Sequence, residues 1–284
     1  MRSKGGEPVD RELISDSEEI AAYARVGEEV ARTAGRFLMD HLHGRFAVAR
    51  KGEIDLVTEI DLAAEKLIVS RLAAAYPGHA VLAEEMHAET ARRACTWIVD
   101  PLDGTTNYAH GYPVFCVSIG LEIAGVVEWG IVYNPNLEEV FTARRGGGAV
   151  LNGIPIRVSQ TASLGSSLLA TGFPYDIRTS PKNNLDYFHE FALRAQGIRR
   201  AGSAALDLCY VAAGRFDGFW EFKLNPWDCA AGYLMVREAG GKVTNLRGDP
   251  GSIYDRECLA TNVRIHEEMM EVLRATSPRE PGAR

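Results

Sequence analysis

The stretch WIVDPLDGTTN, Trp97 to Asn107, constrains this chain more than any other. Its apolar start reads as a buried strand, and a buried strand that closes on two aspartates needs something to balance their charge. Pro101 has a fixed φ and biases Asp100 toward an extended backbone, so the chain is expected to leave the strand rigidly with Asp100 and Asp103 aimed past its end. The Leu102 carbonyl lies between them as a third oxygen, and an all-oxygen set suits a hard cation such as Mg²⁺. Gly104 permits close approach of backbone to a ligand. Thr105-Thr106-Asn107 reads as the first turn of a helix, whose free N–H groups attract an anion. Taken singly, Asp103 is as well explained as a helix cap and Asp100 as a solvated turn residue. Together, metal ligands beside an anion hole point to phosphate chemistry.

The rest of the chain narrows the setting. A length of 284 residues predicts two domains or one large α/β unit. A net charge of -7 argues against a nucleic-acid partner, since no basic stripe is present to meet a phosphate backbone. The five cysteines are odd in number and not closely paired, which fits a reducing cytoplasm better than a disulfide framework or zinc site. The first twenty residues lack the apolar core of a secretory signal. The greasiest region, Val114 to Tyr133, is broken by Glu122, Gly125 and Glu128, so it reads as two strands and no membrane association is expected.

Ser15 with Glu18 resembles a capping box, and apolar residues from Ile20 to Leu38 recur at helical spacing, predicting a helix that ends near Gly44. A second helix is expected after Thr58, with Ile60, Ala64, Leu67, Ile68 and Leu72 on one face and Pro77-Gly78 as its stop. Strands are predicted over Val81–Ala83, Thr96–Val99, Val117–Ile123, Val126–Tyr133 and Val140–Ala143, forming a sheet flanked by the two helices. Asn152-Gly153 predicts a type I′ hairpin turn, near an expected division into subdomains 1–150 and 151–284. Beyond it, strands are predicted at Ser167–Thr171, Asp217–Glu221, Lys242–Thr244 and Cys258–Ala260. Helices are predicted at Leu185–Ala195, Ala204–Ala213, Trp227–Ala239 and Ile265–Leu273, with Gly240-Gly241 ending the third. Ser277–Arg284 reads as a frayed tail.

Two further acidic positions stand out. Glu84 follows the short strand ending at Ala83, and Asp228 sits in the first turn of an apolar helix. Alone, the first reads as a surface carboxylate and the second as a residue complementing the helix dipole.

WIVDPLDGTTN and NPWDCAAGYLMVREAGGKVTN (Asn225–Asn245), with DLVTEIDLAAE (Asp55–Glu65), the strand-Glu84-Glu85 segment, GGGAVLNGIPIRVS (Gly146–Ser159) and RRAGSAALDL (Arg199–Leu208), resemble in order the motifs of the inositol monophosphatase family of Mg²⁺-dependent, lithium-sensitive sugar phosphatases. The resemblance runs from about Glu18 to Leu273. It implies an α+β fold, a layered αβαβα sandwich, whose N-terminal subdomain binds metal and whose C-terminal subdomain completes the site. It also implies a homodimer.

The resemblance further implies that Glu84, Asp100 and the Leu102 carbonyl hold one Mg²⁺ while Asp100, Asp103 and Asp228 hold another. A third, looser ion near Arg50-Lys51 is left open. Glu84 and Thr105 would orient the attacking water, with Asp61 hydrogen-bonded to Thr105. The amides of Gly104, Thr105 and Thr106 would cradle the phosphate, beside Asp103. Gly202, Ser203, Ala204 and Glu221 would meet the ring hydroxyls of a small phosphorylated polyol or sugar, myo-inositol monophosphate first. Fructose 1,6-bisphosphate, histidinol phosphate and phosphoadenosine nucleotides are competing substrates, and a mainly partner-binding role without turnover is a competing function. Two metals can lower such a barrier without a covalent nucleophile. The haloacid dehalogenase class, with its Asp-x-Asp-Gly-Thr motif, fits worse because Asp100 and Asp103 are one residue too far apart.

Ala83 departs from the family pattern, which often has Gly there. No role is expected for His110. Trp97, Trp129, Trp220, Trp227 and Cys229 read as packing residues. Arg199-Arg200 reads as a subunit contact or, more plainly, a solvated pair.

Overall fold

The computed structural model describes residues 17–44, 48–50, 56–85 and 93–276. Ser15, Lys51 and the tail from Ser277 lie outside the described residues, and with them the expected capping box, third-metal loop and frayed end.

The chain opens with helix α1 (Ser17–His41), a short hairpin of β1 (Val48–Arg50) and β2 (Leu56–Thr58), and helix α2 (Glu59–Ala75). The Thr58 side chain accepts the Ile60 and Asp61 amides at the start of α2 while Asp61 reaches back to the Thr58 amide. Then come β3 (Ala80–Ala83), β4 (Cys95–Asp103), the single-turn helix α3 (Thr105–Ala109), β5 (Cys116–Ile123), β6 (Val126–Asn134), β7 (Glu139–Arg144), β8 (Gly148–Leu151) and β9 (Ile154–Pro155). Strands β3 to β9 form a seven-stranded sheet in sequence order, with β3 and β4 parallel and the rest an antiparallel meander. Asn152 and Gly153 both have positive φ, 50° and 79°, as the predicted I′ turn demands.

The second half contributes β10 (Leu168–Thr171), α4 (Leu185–Ala192), β11 (Gly197–Arg199), α5 (Ala204–Ala212), β12 (Gly218–Phe222), α6 (Pro226–Glu238), β13 (Lys242–Thr244), β14 (Glu257–Thr261) and α7 (His266–Ala275). Its five-stranded sheet has the order β11-β10-β12-β14-β13.

Alternation along the strands sorts side chains onto two faces and so builds the layers. Trp97, Val99, Ile119 and Leu121 pack with α1 and α2, whereas Ile98, Cys116, Val132 and Phe141 face α5 and α6. Ala170, Phe219 and Ala260 of the second sheet meet α5 and α6 from beyond; Leu169, Trp220 and Leu259 pack with α4 and α7. The result is an αβαβα sandwich. Helix α6 is buried at every position from Cys229 to Val236, as a helix between two sheets must be. Gly130 lets it close on β6: a Cβ there would lie 2.9 Å from the Ala231 Cα.

Several expectations change. The two N-terminal helices do not flank the first sheet; both cover one face, and α5 and α6 from the second half cover the other. Strand β4 does not end at Val99 but runs on to Asp103. Helix α4 stops at Ala192, three residues early, and β1, β2 and β11, each three residues long, carried too little pattern to be seen. Trp97, Trp129 and Trp220 are core residues, whereas Trp227 is half-buried.

Candidate active site

Asp100 and Asp103 belong to one strand with a bulge in it. Asp100 pairs with Ser118 and Asp103 with Cys116, so three steps along β4 match two along β5. Pro101 lies within that irregularity, where the missing amide costs the ladder nothing. The Asp100 carboxylate accepts the Leu102 amide at 3.0 Å, which locks the bulge. The aspartates are therefore aimed by a kink inside the strand, which replaces the expected exit beyond its end.

Glu84 arrives through the parallel pairing of β3 with β4. Ala83 is in register with Val99, so the next residue of each strand, Glu84 and Asp100, come side by side. The turn is held from α2: buried Glu65 accepts the Glu85 amide at 2.7 Å. Asp228 comes from the first turn of α6, where one carboxylate oxygen accepts the Asn225 amide at 2.6 Å. The helix-start reading of Asp228 is thus correct for one oxygen and leaves the other for the cleft.

Asp103 reaches across to the second half: its Oδ2 accepts the Ser203 hydroxyl at 2.6 Å and the Ala205 amide at 2.8 Å. Gly104 has φ 100°, and a Cβ there would lie 2.8 Å from the Val114 carbonyl oxygen, so no other residue fits this turn. The Thr105 hydroxyl donates to Asp61 at 2.8 Å, with the Leu102 carbonyl farther off at 3.2 Å. Asp61 is fully buried and also bonded to the Thr58 amide, so its direction is fixed.

Glu84, Asp100, Leu102, Asp103, Gly104, Thr105, Thr106, Gly202, Ser203, Ala204, Glu221 and Asp228 all line one cleft of about 680 Å³. Asp61 stands behind Thr105. Burial, then the charges of Glu84, Asp103 and Asp228, push the Asp100 carboxyl well above its ordinary range. Burial and Glu84 do the same to Asp228. Burial also raises Asp103, against the bonds from Ser203 and Ala205. No basic group figures among these influences. Among the described residues no three of these side chains already form a closed ligand set. The donor chemistry nonetheless fits Mg²⁺: four carboxylates and a carbonyl, all oxygen, share one cleft.

Glu221 lies on β12 against the segment after β10. A Cβ on Gly172 would come within 2.1 Å of its carboxylate, so the glycine of TGFPYD makes its place. Burial raises Glu221 to about 8, opposed by Arg200 and reinforced by Asp103.

The sequence reading missed Asp207, Arg200, Lys223 and Arg256, which line the same cleft. Arg199 and Arg200 are both exposed, as the solvated reading has it, and Arg200 also lines the cleft. Asp207 had a visible signal, one acid inside the otherwise apolar AALDLCYVA of α5. His110 is exposed, and all five cysteines are free, with Cys229 buried beside the Asn225 carbonyl.

A sequence profile of the inositol monophosphatase family matches residues 19–279. The chain is 50% identical over 224 residues to the inositol-1-monophosphatase of a Synechocystis species, covering 78% of each. It is 42% identical over 257 residues to the Nus factor SuhB of Pseudomonas aeruginosa, covering 87% of this chain and 94% of that one. The inositol monophosphatase structure from an Anabaena (Nostoc) species superposes with a TM-score of 0.84 at 41% identity, covering 92% of this chain and 98% of that one. Bulged aspartate strand, cleft and relatives agree: the chain belongs to the inositol monophosphatase family.

Proposed function

We propose that the protein is a Mg²⁺-dependent phosphomonoesterase that hydrolyses myo-inositol monophosphate to inositol and phosphate. The observation that carries the reading is the meeting of Glu84, Asp100, Asp103 and Asp228, from one strand, a turn and a helix, beside the Thr105–Asp61 pair. Residues 1–150 supply three of the four acids and residues 151–284 complete the site with Asp228 and the polyol-facing wall.

Glu84, Asp100 and the Leu102 carbonyl would hold one ion, and Asp100, Asp103 and Asp228 the other. Bound there, the pair neutralises phosphate charge and makes water a stronger nucleophile. The chain's own part is positional. The Thr105 proton is committed to Asp61, the shorter of its two contacts, so the hydroxyl oxygen is left to accept a hydrogen from water. Glu84 takes the other, and the water lone pair faces the phosphorus. Buried Asp61, held by Thr58, keeps the hydroxyl from turning. The amides of Gly104, Thr105 and Thr106 receive the phosphate oxygens at the start of α3. Ser203, Gly202, Ala204 and Glu221 orient the ring. No side chain needs to form a bond to phosphorus.

The test is Mg²⁺-dependent phosphate release over inositol, sugar, histidinol and nucleotide phosphates. Silence on the whole panel removes the enzymatic reading; preference for a bisphosphate or nucleotide keeps the mechanism and changes the substrate. Dimerisation, lithium inhibition and a cytoplasmic location belong to the same proposal. No helix among the described residues is long and apolar enough to cross a membrane.

The relatives named Nus factor SuhB favour a second reading, a partner-binding role carried by the same fold. If Asp103→Asn ends phosphate release and the cellular phenotype survives, that role is the one the cell uses.

A further inference from the structure

One buried acid in the cleft has no part in the chemistry above. Asp207, on α5, is 1% exposed, and its Oδ1 has no hydrogen-bond partner among the described residues. It does not cap its helix: Ser203 is the N-cap residue, and its side chain accepts the Leu206 amide. Every neighbour of Asp207 from Ala205 to Cys209 is apolar and buried, so helix packing alone would favour an apolar residue here. An unsatisfied buried carboxyl costs stability, and native structures keep few of them.

The cleft explains why it is kept. Asp207 lines it with Glu221 and Arg200, and the charges of Glu221, Asp103 and Arg200 all reach it. The acid thus shares one cleft with Asp103, at the proposed phosphate end, and Glu221, at the proposed ring end. Arg200 folds back over Gly202, where a Cβ would lie 2.6 Å from its Nη1, and its charge opposes the burial of Asp207 and Glu221 alike. Two acids from different layers therefore present acceptors to one space under one guanidinium.

We propose that Asp207 is a specificity-determining residue whose carboxylate accepts a hydroxyl of the bound polyol, so that with Glu221 it grips a vicinal diol. The inference rests on the phosphatase reading for its ligand class, although the diol grip itself needs no turnover. It accounts for a helix that carries a costly acid: the missing hydrogen bond is made by the ligand. Phosphate esters without adjacent hydroxyls leave that carboxylate without the bond and are bound less well.

The test is calorimetric binding of myo-inositol 1-phosphate and of inorganic phosphate, both with Mg²⁺, to the full chain and to Asp207→Leu and Asp207→Asn. A hydrogen bond to a charged group predicts that Asp207→Leu weakens inositol phosphate about ten- to a hundredfold, while inorganic phosphate changes less than about twofold. Asp207→Asn recovers most of the loss, because its amide oxygen still accepts. The thermal midpoint of metal-free Asp207→Leu stays level or rises, which a purely structural role would reverse. Equal weakening of both ligands, or an unchanged inositol phosphate affinity, overturns the proposal. A wild-type protein that binds inositol phosphate but releases no phosphate sinks the phosphatase reading while the binding ratio still decides for or against the diol grip.

Discussion

The cleft contains two acidic groups that differ in what balances them. Asp100, Asp103 and Asp228, with Glu84, act on one another with no basic group among the main influences, whereas Glu221 and Asp207 share Arg200. The difference is instructive because Asp100, Asp103, Asp228, Glu221 and Asp207 are all raised by burial first. Beside Arg200 the fold carries its own countercharge, so those acids can await a neutral, hydroxyl-bearing ligand. Around Asp100 the countercharge must come from outside, so the fold is completed by what binds. On the proposed reading, the same cost is met in one place by Arg200 and in the other by a cation.

The comparison breaks most visibly at Asp103. Asp103→Asn should lower Mg²⁺-dependent phosphate release by about a thousandfold or more, since each ~1.4 kcal/mol of lost transition-state stabilisation is tenfold and a metal supplies several. Residual activity within tenfold of the parent would mean that the two groups are not divided as described.

Glu65 offers a smaller lever on the first group. It touches no ligand and acts by holding the turn after Glu84 through the 2.7 Å bond from the Glu85 amide. Glu65→Ala is expected to weaken Mg²⁺ binding by about ten- to a hundredfold in calorimetry, as losses of supporting partners do, with Glu65→Gln close to the parent. Equal affinities for all three proteins would show that the turn holds itself.

Proton linkage sharpens the contrast further. Asp100 and Asp228 are raised in the folded state, so their contribution is fullest at low pH and is lost as pH rises through their folded values, by up to about 1.4 kcal/mol per pH unit for each group. Mg²⁺ requires the ionised forms, so the rise in thermal midpoint on adding Mg²⁺ should be larger at about pH 8 than at about pH 6, with protons released on binding. A gain independent of pH would leave the first group without its cation.

The mildest test isolates the second group. Glu221 is raised from 4.5 to about 8, so metal-free stability should fall across that window. Glu221→Gln should flatten this part of the denaturation curve; an unaltered slope would assign it wholly to the other acids.

Much of this was legible before any coordinates. The Asn152-Gly153 turn, the two N-terminal helices and the main strands follow from local pattern, and Glu84, Asp100, Asp103 and Asp228 stood out because carboxylates at the ends of apolar runs are costly. The bulge at Pro101 was not legible, since only pairing with β5 shows that three residues of one strand match two of the other. Nor was the role of Glu65, which in sequence is one more acid on an amphipathic helix and in space is the acceptor for a turn twenty residues away.

What the sequence by itself determined is the longer elements and the acidic, oxygen-donor character of the site, because helix and strand periods and the expense of buried charge are properties of neighbouring residues. The tertiary structure alone decided that α5 and α6 lie between the sheets, that Ser203 bonds Asp103 across a hundred residues, and that Asp207 and Arg200 face the cleft. Those outcomes depend on which surfaces bury each other, a choice made by packing among segments far apart along the chain, where no local pattern reaches.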